Sequence, residues 1–184
     1  MKKREMAGPE TVKDIVLLAR RGDKQAFSQL VDMYSSRLYG YFYRLTGNRD
    51  EANELLGELF LKMVEKIGSC RPETFKAWLF KMASNLFTDY LRTKKRSQKM
   101  LSHIEEQVRT EAQMPEKDNF LADKLARQLR KLEPETAEII VMRYYSQLSF
   151  EELAQVRKEP IGTVLSKVHR GLKKLRQLME NSDD

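Results

Sequence analysis

Near the C-terminus, a proline separates two helical patterns, and the second carries most of the cationic side chains of that region. The first pattern opens with Ser149 and Glu152, which have the capping-box spacing of a helix start. The second follows Pro160, a residue tolerated where a helix begins because its missing N–H has no partner there. Two helices joined by a tight turn are typical of a helix-turn-helix. The chemistry this predicts is recognition of base edges and phosphates in duplex DNA.

The second helix of this motif spans about eighteen residues, or roughly 27 Å, and its diameter suits the major groove. Its N-terminal half would meet base edges and its basic C-terminal half would meet phosphates, and we select Ser166, Lys167, His169, Arg170, Lys173 and Lys174 for contact with DNA. The predicted inward seam is Ile161, Val164, Leu165, Val168, Leu172, Leu175 and Leu178, with Gly162 allowing close helix approach. A solvated basic face on an ordinary core helix is the alternative. The cap, the turn and the basic face occur together, which favours DNA binding.

A second basic cluster lies well apart from the first, and its members are Lys76, Lys81, Arg92, Lys94, Lys95 and Arg96. Solubility alone would explain such a cluster. Two cationic clusters on one chain also fit a protein that contacts a single duplex at two places.

Composition restricts the class of protein. The 184 residues include 41% hydrophobic and 33% charged ones, with only eight glycines and five prolines, so an all-α fold is expected. The formal net charge of +7 favours a polyanionic partner. A single cysteine, Cys70, suits a reducing compartment, and no signal peptide or apolar run long enough to cross a membrane is apparent, which predicts a cytoplasmic protein. Scattered Cys and His residues predict no metal, no cofactor and no catalysis.

The elements that must position these clusters follow from helical periodicity. Four apolar patterns, at 11–20, 24–45, 48–64 and 75–91, predict a compact bundle-like unit, with Val64 on the buried stripe of the third helix and Trp78 in the core. We therefore divide the chain into a helical domain at 1–93, a linker at 94–120 and a second helical domain at 121–184.

Several segments together resemble the extracytoplasmic-function sigma factors, the small bacterial initiation subunits that keep two of the sigma domains. The segment LARRGDKQAFSQLVDMYSSRLYGYFYRLTGNRDEA looks like region 2.1, ANELLGELFLKMV like region 2.2, and FKAWLFKMASNLFTDYLR like regions 2.3 and 2.4. LEPETAEIIVMRYYSQLSFEELAQ and PIGTVLSKVHRGLKKLRQL resemble region 4. The resemblance covers about 11–93 and 121–178, and the joint order of the segments is its most specific feature.

The resemblance implies particular partners and roles. Region 2.2 would dock on the clamp helices of the RNA polymerase β′ subunit through Glu54, Glu58, Phe60, Leu61 and Lys62. Asn85 would hold a base flipped from the minus-ten promoter element, and the second basic cluster would accompany it. The C-terminal helix-turn-helix would read the minus-thirty-five element. A cognate anti-sigma factor is also expected.

The chain departs from the family pattern at Gly57, Arg157, Lys158 and Leu165. Gly57 weakens a helix by about 1 kcal/mol relative to alanine, and Lys158 is expected in a left-handed conformation. Leu165 stands where relatives often carry a basic, DNA-facing residue. Two rival functions remain open from the sequence: a stand-alone helix-turn-helix regulator that needs no polymerase, and a helical interaction protein that binds no DNA.

Overall fold

The computed structural model describes residues 11–101 and 120–181, and within these ranges the chain is helical with no strand. The helices are α1 (Val12–Arg20), α2 (Lys24–Thr46), α3 (Arg49–Lys66), α4 (Phe75–Leu101), α5 (Phe120–Arg130), α6 (Pro134–Ile140), α7 (Phe150–Arg157) and α8 (Ile161–Glu180). Two 3-10 turns, Ile67–Ser69 and Pro72–Thr74, connect α3 to α4, and a π-helical turn, Val141–Tyr145, extends α6. The all-α prediction is confirmed.

Side-chain caps begin several of the helices. The Thr11, Asp23 and Asn48 side chains each accept a hydrogen bond from a backbone N–H of the first turn of α1, α2 and α3. Ser149 and Glu152 form the predicted capping box of α7. Each cap satisfies donors that a helix start would otherwise leave without partners.

Left-handed residues end two of the helices. Gly47 ends α2 with φ 73°, and Lys158 ends α7 with φ 55°, which confirms the conformation expected for that lysine. A non-glycine residue there costs about 1–2 kcal/mol, so the tight turn between α7 and α8 is kept at some cost in stability.

The buried apolar residues form one continuous cluster, and its larger part lies among α1 to α4. Leu30, Leu38, Leu59 and Phe80 are fully buried there, and Cys70 is buried between the two 3-10 turns. Trp78 is half-buried and packs against this core, as predicted. Val64, expected on the buried stripe of α3, is instead 56% exposed.

The second unit packs α5 to α8 around a smaller core, to which α8 contributes Val164, Val168 and Leu175. The predicted seam of α8 is wrong at Ile161 and Leu165, which are exposed because α5, α6 and α7 cover only part of α8.

Close helix approach in this unit depends on a different glycine from the predicted one. A Cβ added at Gly162 would meet nothing within 4 Å, so the expectation for that residue is wrong. A Cβ at Gly171 would lie 2.6 Å from Thr136 Cγ2 and 3.0 Å from Ile140 Cδ1. Gly171 therefore lets α8 pack against α6.

The two units touch through α2 and α4 on one side and α5, α6, the π-helical turn and α7 on the other. At the centre, the buried Tyr41 hydroxyl of α2 donates a 2.6 Å hydrogen bond to Glu138 of α6. Tyr145 lies against Gly40, and the Arg44 guanidinium stacks 3.4 Å from the centre of the Tyr145 ring.

The predicted linker is helical at its start, since α4 continues without a break through residues 94–101. Residues 102–119 of that linker lie outside the described residues, as do 1–10 and 182–184. The boundaries at 93 and 120 stay predictions.

Candidate nucleic-acid interface

The outward face of α8 carries most of the residues predicted to contact DNA. Ser166, His169 and Arg170 are exposed. The Ser166 hydroxyl donates to the Gly162 carbonyl (2.9 Å), and Arg170 Nε donates to the Ser166 carbonyl (3.3 Å). These bonds run back along the helix and leave the remaining polar atoms facing solvent. Lys173 and Lys174 are exposed one turn further on, so these predicted contacts share one surface.

Lys167 differs from its neighbours on α8. Its ammonium lies 2.8 Å from Glu135 Oε1 and 2.7 Å from Glu159 Oε1. Hydrogen bonds to these two carboxylates raise the pKa of Lys167, so it stays charged, but its charge is already neutralised within the chain. Contact with a phosphate would require Lys167 to give up these partners.

A buried charge cluster lies behind Lys167 and explains one departure from the family pattern. The Arg157 guanidinium pairs with Glu138 and Glu135, each at 2.7 Å. Burial acts to lower the pKa of Arg157, but the two carboxylates outweigh it and the pKa is raised. The pKa of Tyr41 is raised well above its usual range by burial and by Glu138. Arg157 is thus a partner for acids on α6, at a position where the chain departs from the family pattern.

Asn85 of α4 is exposed and lines a recess with Lys81 and Thr88 of the same helix. The opposite wall belongs to the second unit and includes Glu135, Glu138, Arg157 and Glu159. Arg157 and Lys167 pair with these three carboxylates, which leaves that wall acidic by one charge. The surface expected to take a base therefore faces negative charge of its own chain in this arrangement.

The basic residues of α4 divide into two groups. Lys76 donates to Glu152 (3.0 Å) and to the Gln147 carbonyl (2.6 Å), so it holds the two units together. Lys94 lies 2.9 Å from Glu51, which also accepts a 2.6 Å hydrogen bond from the Tyr90 hydroxyl.

The other basic residues of α4 lie toward solvent. Arg92 forms a well-exposed pair with Asp89 at 3.3 Å, and Lys95 and Arg96 are exposed. Lys81 is half-buried at the recess.

The α3 surface predicted to dock on polymerase combines charge with apolar side chains. Glu58 and Lys62 pair at 2.7 Å, and Glu54 is exposed. Leu61 is 67% exposed, whereas Phe60 is half-buried and packs against the core. Val64, three residues from Leu61, enlarges the exposed apolar surface and was missed because helical spacing alone assigned it to the core.

Two negative findings hold for the described ranges, 11–101 and 120–181. There, no three His, Cys, Asp or Glu side chains come together as a metal site, and no helix is long and apolar enough to span a bilayer.

Known proteins match the chain in the same order as these surfaces. Residues 30–97 match the family Sigma-70 region 2, and residues 122–175 match Sigma-70, region 4. The chain is 28% identical over 182 residues to ECF RNA polymerase sigma factor SigW of Bacillus subtilis (strain 168), covering 92% of this chain and 97% of SigW. It is 30% identical over 161 residues to RNA polymerase sigma factor CarQ of Myxococcus xanthus, covering 87% of this chain and 92% of CarQ.

A solved structure has the same fold. The sigma factor RpoE in complex with the anti-sigma factor NepR, from Bartonella quintana, superposes with a TM-score of 0.71 at 23% identity, covering 85% of this chain and 98% of RpoE.

The fold and the two surfaces define a two-unit helical protein of transcription initiation that reads DNA with a helix-turn-helix. The chain belongs to the sigma-70 family of RNA polymerase sigma factors, in its extracytoplasmic-function group. It is an initiation factor that acts with RNA polymerase at promoters, and the match of residues 30–97 to region 2 does not favour a stand-alone regulator.

Proposed function

We propose that this chain divides the work of initiation among three helices: α3 docks on the β′ clamp helices of core polymerase, α4 captures the minus-ten element, and α8 reads the minus-thirty-five element. The observation that carries the proposal is that region 2 and region 4 match in order while α8 presents Ser166, His169 and Arg170 on one open face. The factor has no catalytic role in this scheme and needs no cofactor.

At the minus-ten element, the Asn85 amide would donate to and accept from the edge of an unpaired base. Extruding a base costs a few kcal/mol. Contacts of Lys81, Lys95 and Arg96 with the phosphates would help to offset that cost. Melting is then driven by binding energy, and polymerase supplies the chemistry.

The acidic wall opposite Asn85 sets a condition on this step. A DNA strand brought to Asn85 would meet this wall, whose carboxylates exceed their cationic partners by one, and like charges raise the free energy of that complex. We therefore expect capture of the minus-ten strand to move α6 and α7 away from α4, which would break the Lys76–Glu152 and Tyr41–Glu138 contacts.

Regulation by an anti-sigma factor is part of the proposal. The structural neighbour RpoE was solved with its anti-sigma factor NepR, and most of this chain shares its fold. We also place the chain in the cytoplasm, where core polymerase and the chromosome are.

Run-off transcription with core polymerase tests this function. A genomic fragment library incubated with core enzyme alone should give no specific transcript, and adding the full chain should give discrete ones. Asn85→Ala should lower their yield while leaving association with core unchanged, and Thr88→Ala, on the same recess, serves as the matched control.

Failure of the full chain to associate with core polymerase or to direct any transcript would overturn the proposal. Tight duplex binding without polymerase would instead support the stand-alone regulator, and polymerase-independent binding of a protein partner alone would support the interaction protein.

A further inference from the structure

Two large apolar side chains lie exposed on the base-reading half of α8. Ile161 is 42% exposed and Leu165 43% exposed, whereas Val164 and Val168 beside them are buried. Residues four apart on a helix are neighbours on its surface, so the two side chains form one strip. Apolar area left in water is unfavourable, and a ligand that covered it would gain binding free energy.

The surroundings of this strip indicate what covers it. His169 is exposed one turn after Leu165, and Arg170, Lys173 and Lys174 continue the same helix. An apolar strip that leads into a cationic surface complements a ligand with an apolar group beside a line of negative charge. In the major groove, the apolar group is the thymine 5-methyl, and the phosphates run alongside it.

We propose that Leu165, with Ile161 beside it, reads thymine methyl groups in the upstream promoter element and makes this chain prefer thymine at the base pairs beneath the first turns of α8. The inference rests on the proposed role of α8. Leu165 has no side-chain donor or acceptor, so a polar base edge beneath it would lose water without gaining a hydrogen bond. A methyl group beneath it loses nothing by leaving water.

The test uses the full chain with core polymerase and duplexes selected by that complex from a randomised upstream pool. Each thymine of the selected element is then replaced singly by deoxyuridine, which removes only the methyl group. At one or two positions the affinity should fall about fourfold, the value of one buried methyl. Leu165→Ala should bind the thymine duplex more weakly by a similar factor and show no further loss with deoxyuridine.

Lys174→Ala is the matched control on the same helix. It should weaken thymine and deoxyuridine duplexes equally and reduce the salt slope of binding by about one phosphate contact. Leu165→Met, which keeps an apolar side chain, should keep the methyl sensitivity.

Three results would overturn the inference: selected elements without thymine beneath α8, equal affinity for every deoxyuridine duplex, or undiminished methyl sensitivity in Leu165→Ala. If transcription persists in any of these cases, the proposed function stands and only the methyl contact fails. Weaker polymerase association of Leu165→Ala without DNA would assign the strip to a protein surface instead.

Discussion

The two predicted reading surfaces, on α4 and on α8, differ in what the chain places in front of them. Asn85 on α4 faces an acidic wall formed by the second unit, whereas His169 and Arg170 on α8 face solvent. The proposed α8 contacts therefore need no rearrangement of the units, whereas the proposed α4 contacts favour a larger separation between them.

The lysines predicted to contact phosphates likewise fall into two groups, those paired with carboxylates and those exposed to solvent. Lys76 and Lys167 are held by carboxylates, so each exchanges one ionic partner for another on binding DNA. Lys173 and Lys174 on α8 are exposed. A lysine that is already paired gains less from a phosphate, because its attraction to DNA is offset by the pair it loses.

The largest expected effect tests what holds the units together. Glu138→Ala removes a carboxylate that is 3% exposed, leaves Tyr41 without its partner and leaves Arg157 with only the more exposed Glu135, so the free energy of unfolding should fall by about 3–5 kcal/mol. Urea denaturation measures this free energy of unfolding. Glu135→Ala, at a carboxylate that is 54% exposed, should cost less than about 1 kcal/mol. Equal losses would show that Glu138 does not hold the contact.

Two glycine variants distinguish the effect of the contact between the units from the effect of helix propensity. A Cβ at Gly40 would collide with the Tyr145 ring, so Gly40→Ala should destabilise the closed arrangement by about 1–3 kcal/mol. At Gly57 a Cβ meets nothing within 4 Å, so Gly57→Ala should stabilise α3 by about 1 kcal/mol. Thermal unfolding should show a lower midpoint temperature for Gly40→Ala and a higher one for Gly57→Ala. A stabilised Gly40→Ala would mean that Tyr145 moves aside without loss.

The docking surface of α3 offers a third comparison, between binding and stability. Leu61→Ala should reduce affinity for core polymerase about tenfold, since an exposed leucine buried on docking is worth about 1.5 kcal/mol or more. Its unfolding free energy should change by less than about 0.5 kcal/mol. Fluorescence anisotropy with core enzyme measures the first quantity. Leu17→Ala, at an exposed leucine of α1, should leave polymerase affinity unchanged.

The salt dependence of DNA binding should distinguish the paired Lys167 of α8 from the exposed Arg170. Arg170→Ala should reduce the slope of log affinity against log salt by about 0.9, one phosphate contact. Lys167→Ala should change the slope less, because its charge is already matched by Glu135 and Glu159. Titrations of an upstream duplex at several salt concentrations give both slopes, and equal changes would refute the distinction.

The smallest expected effect is the dependence of stability on pH. Hydrogen bonds from Lys167 and Arg157 lower the pKa of Glu135 in the folded chain. The contribution of ionised Glu135 to the free energy of unfolding is therefore complete above the ordinary carboxyl pKa, about 4.3. It is lost as the pH falls through the lower pKa that Glu135 has in the folded chain. Because Glu135 is half exposed, we expect a loss of less than about 1 kcal/mol. Urea midpoints from pH 6 to pH 3 should decline less steeply for Glu135→Gln than for the parent chain.

Local signals in the sequence predicted most of the helices correctly. The caps at Thr11, Asp23, Asn48 and Ser149 depend on side chains within three residues of the groups they bind, so spacing alone reveals them. The left-handed conformation of Lys158 was expected on a different ground, because the chain departs there from the family pattern.

Features that depend on distant partners were not predictable in this way. Ile161 and Leu165 fit an apolar seam by spacing, yet the partner helices cover only part of α8. The role of Gly171 depends on Thr136, and that of Arg157 on Glu138 and Tyr41, all on other helices. The roles of the individual site residues in DNA and polymerase binding remain predictions for the experiments above.

Cys70 has a practical consequence. It is the only cysteine in the chain, and burial raises the pKa of its thiol to about 11, so almost no reactive thiolate is present at neutral pH. Maleimide dyes added to the parent chain should leave it largely unmodified. Cysteines introduced on α1 and α7 would therefore accept a donor and an acceptor dye with little background, and energy transfer between them would follow the opening of the two units on single polymerase molecules.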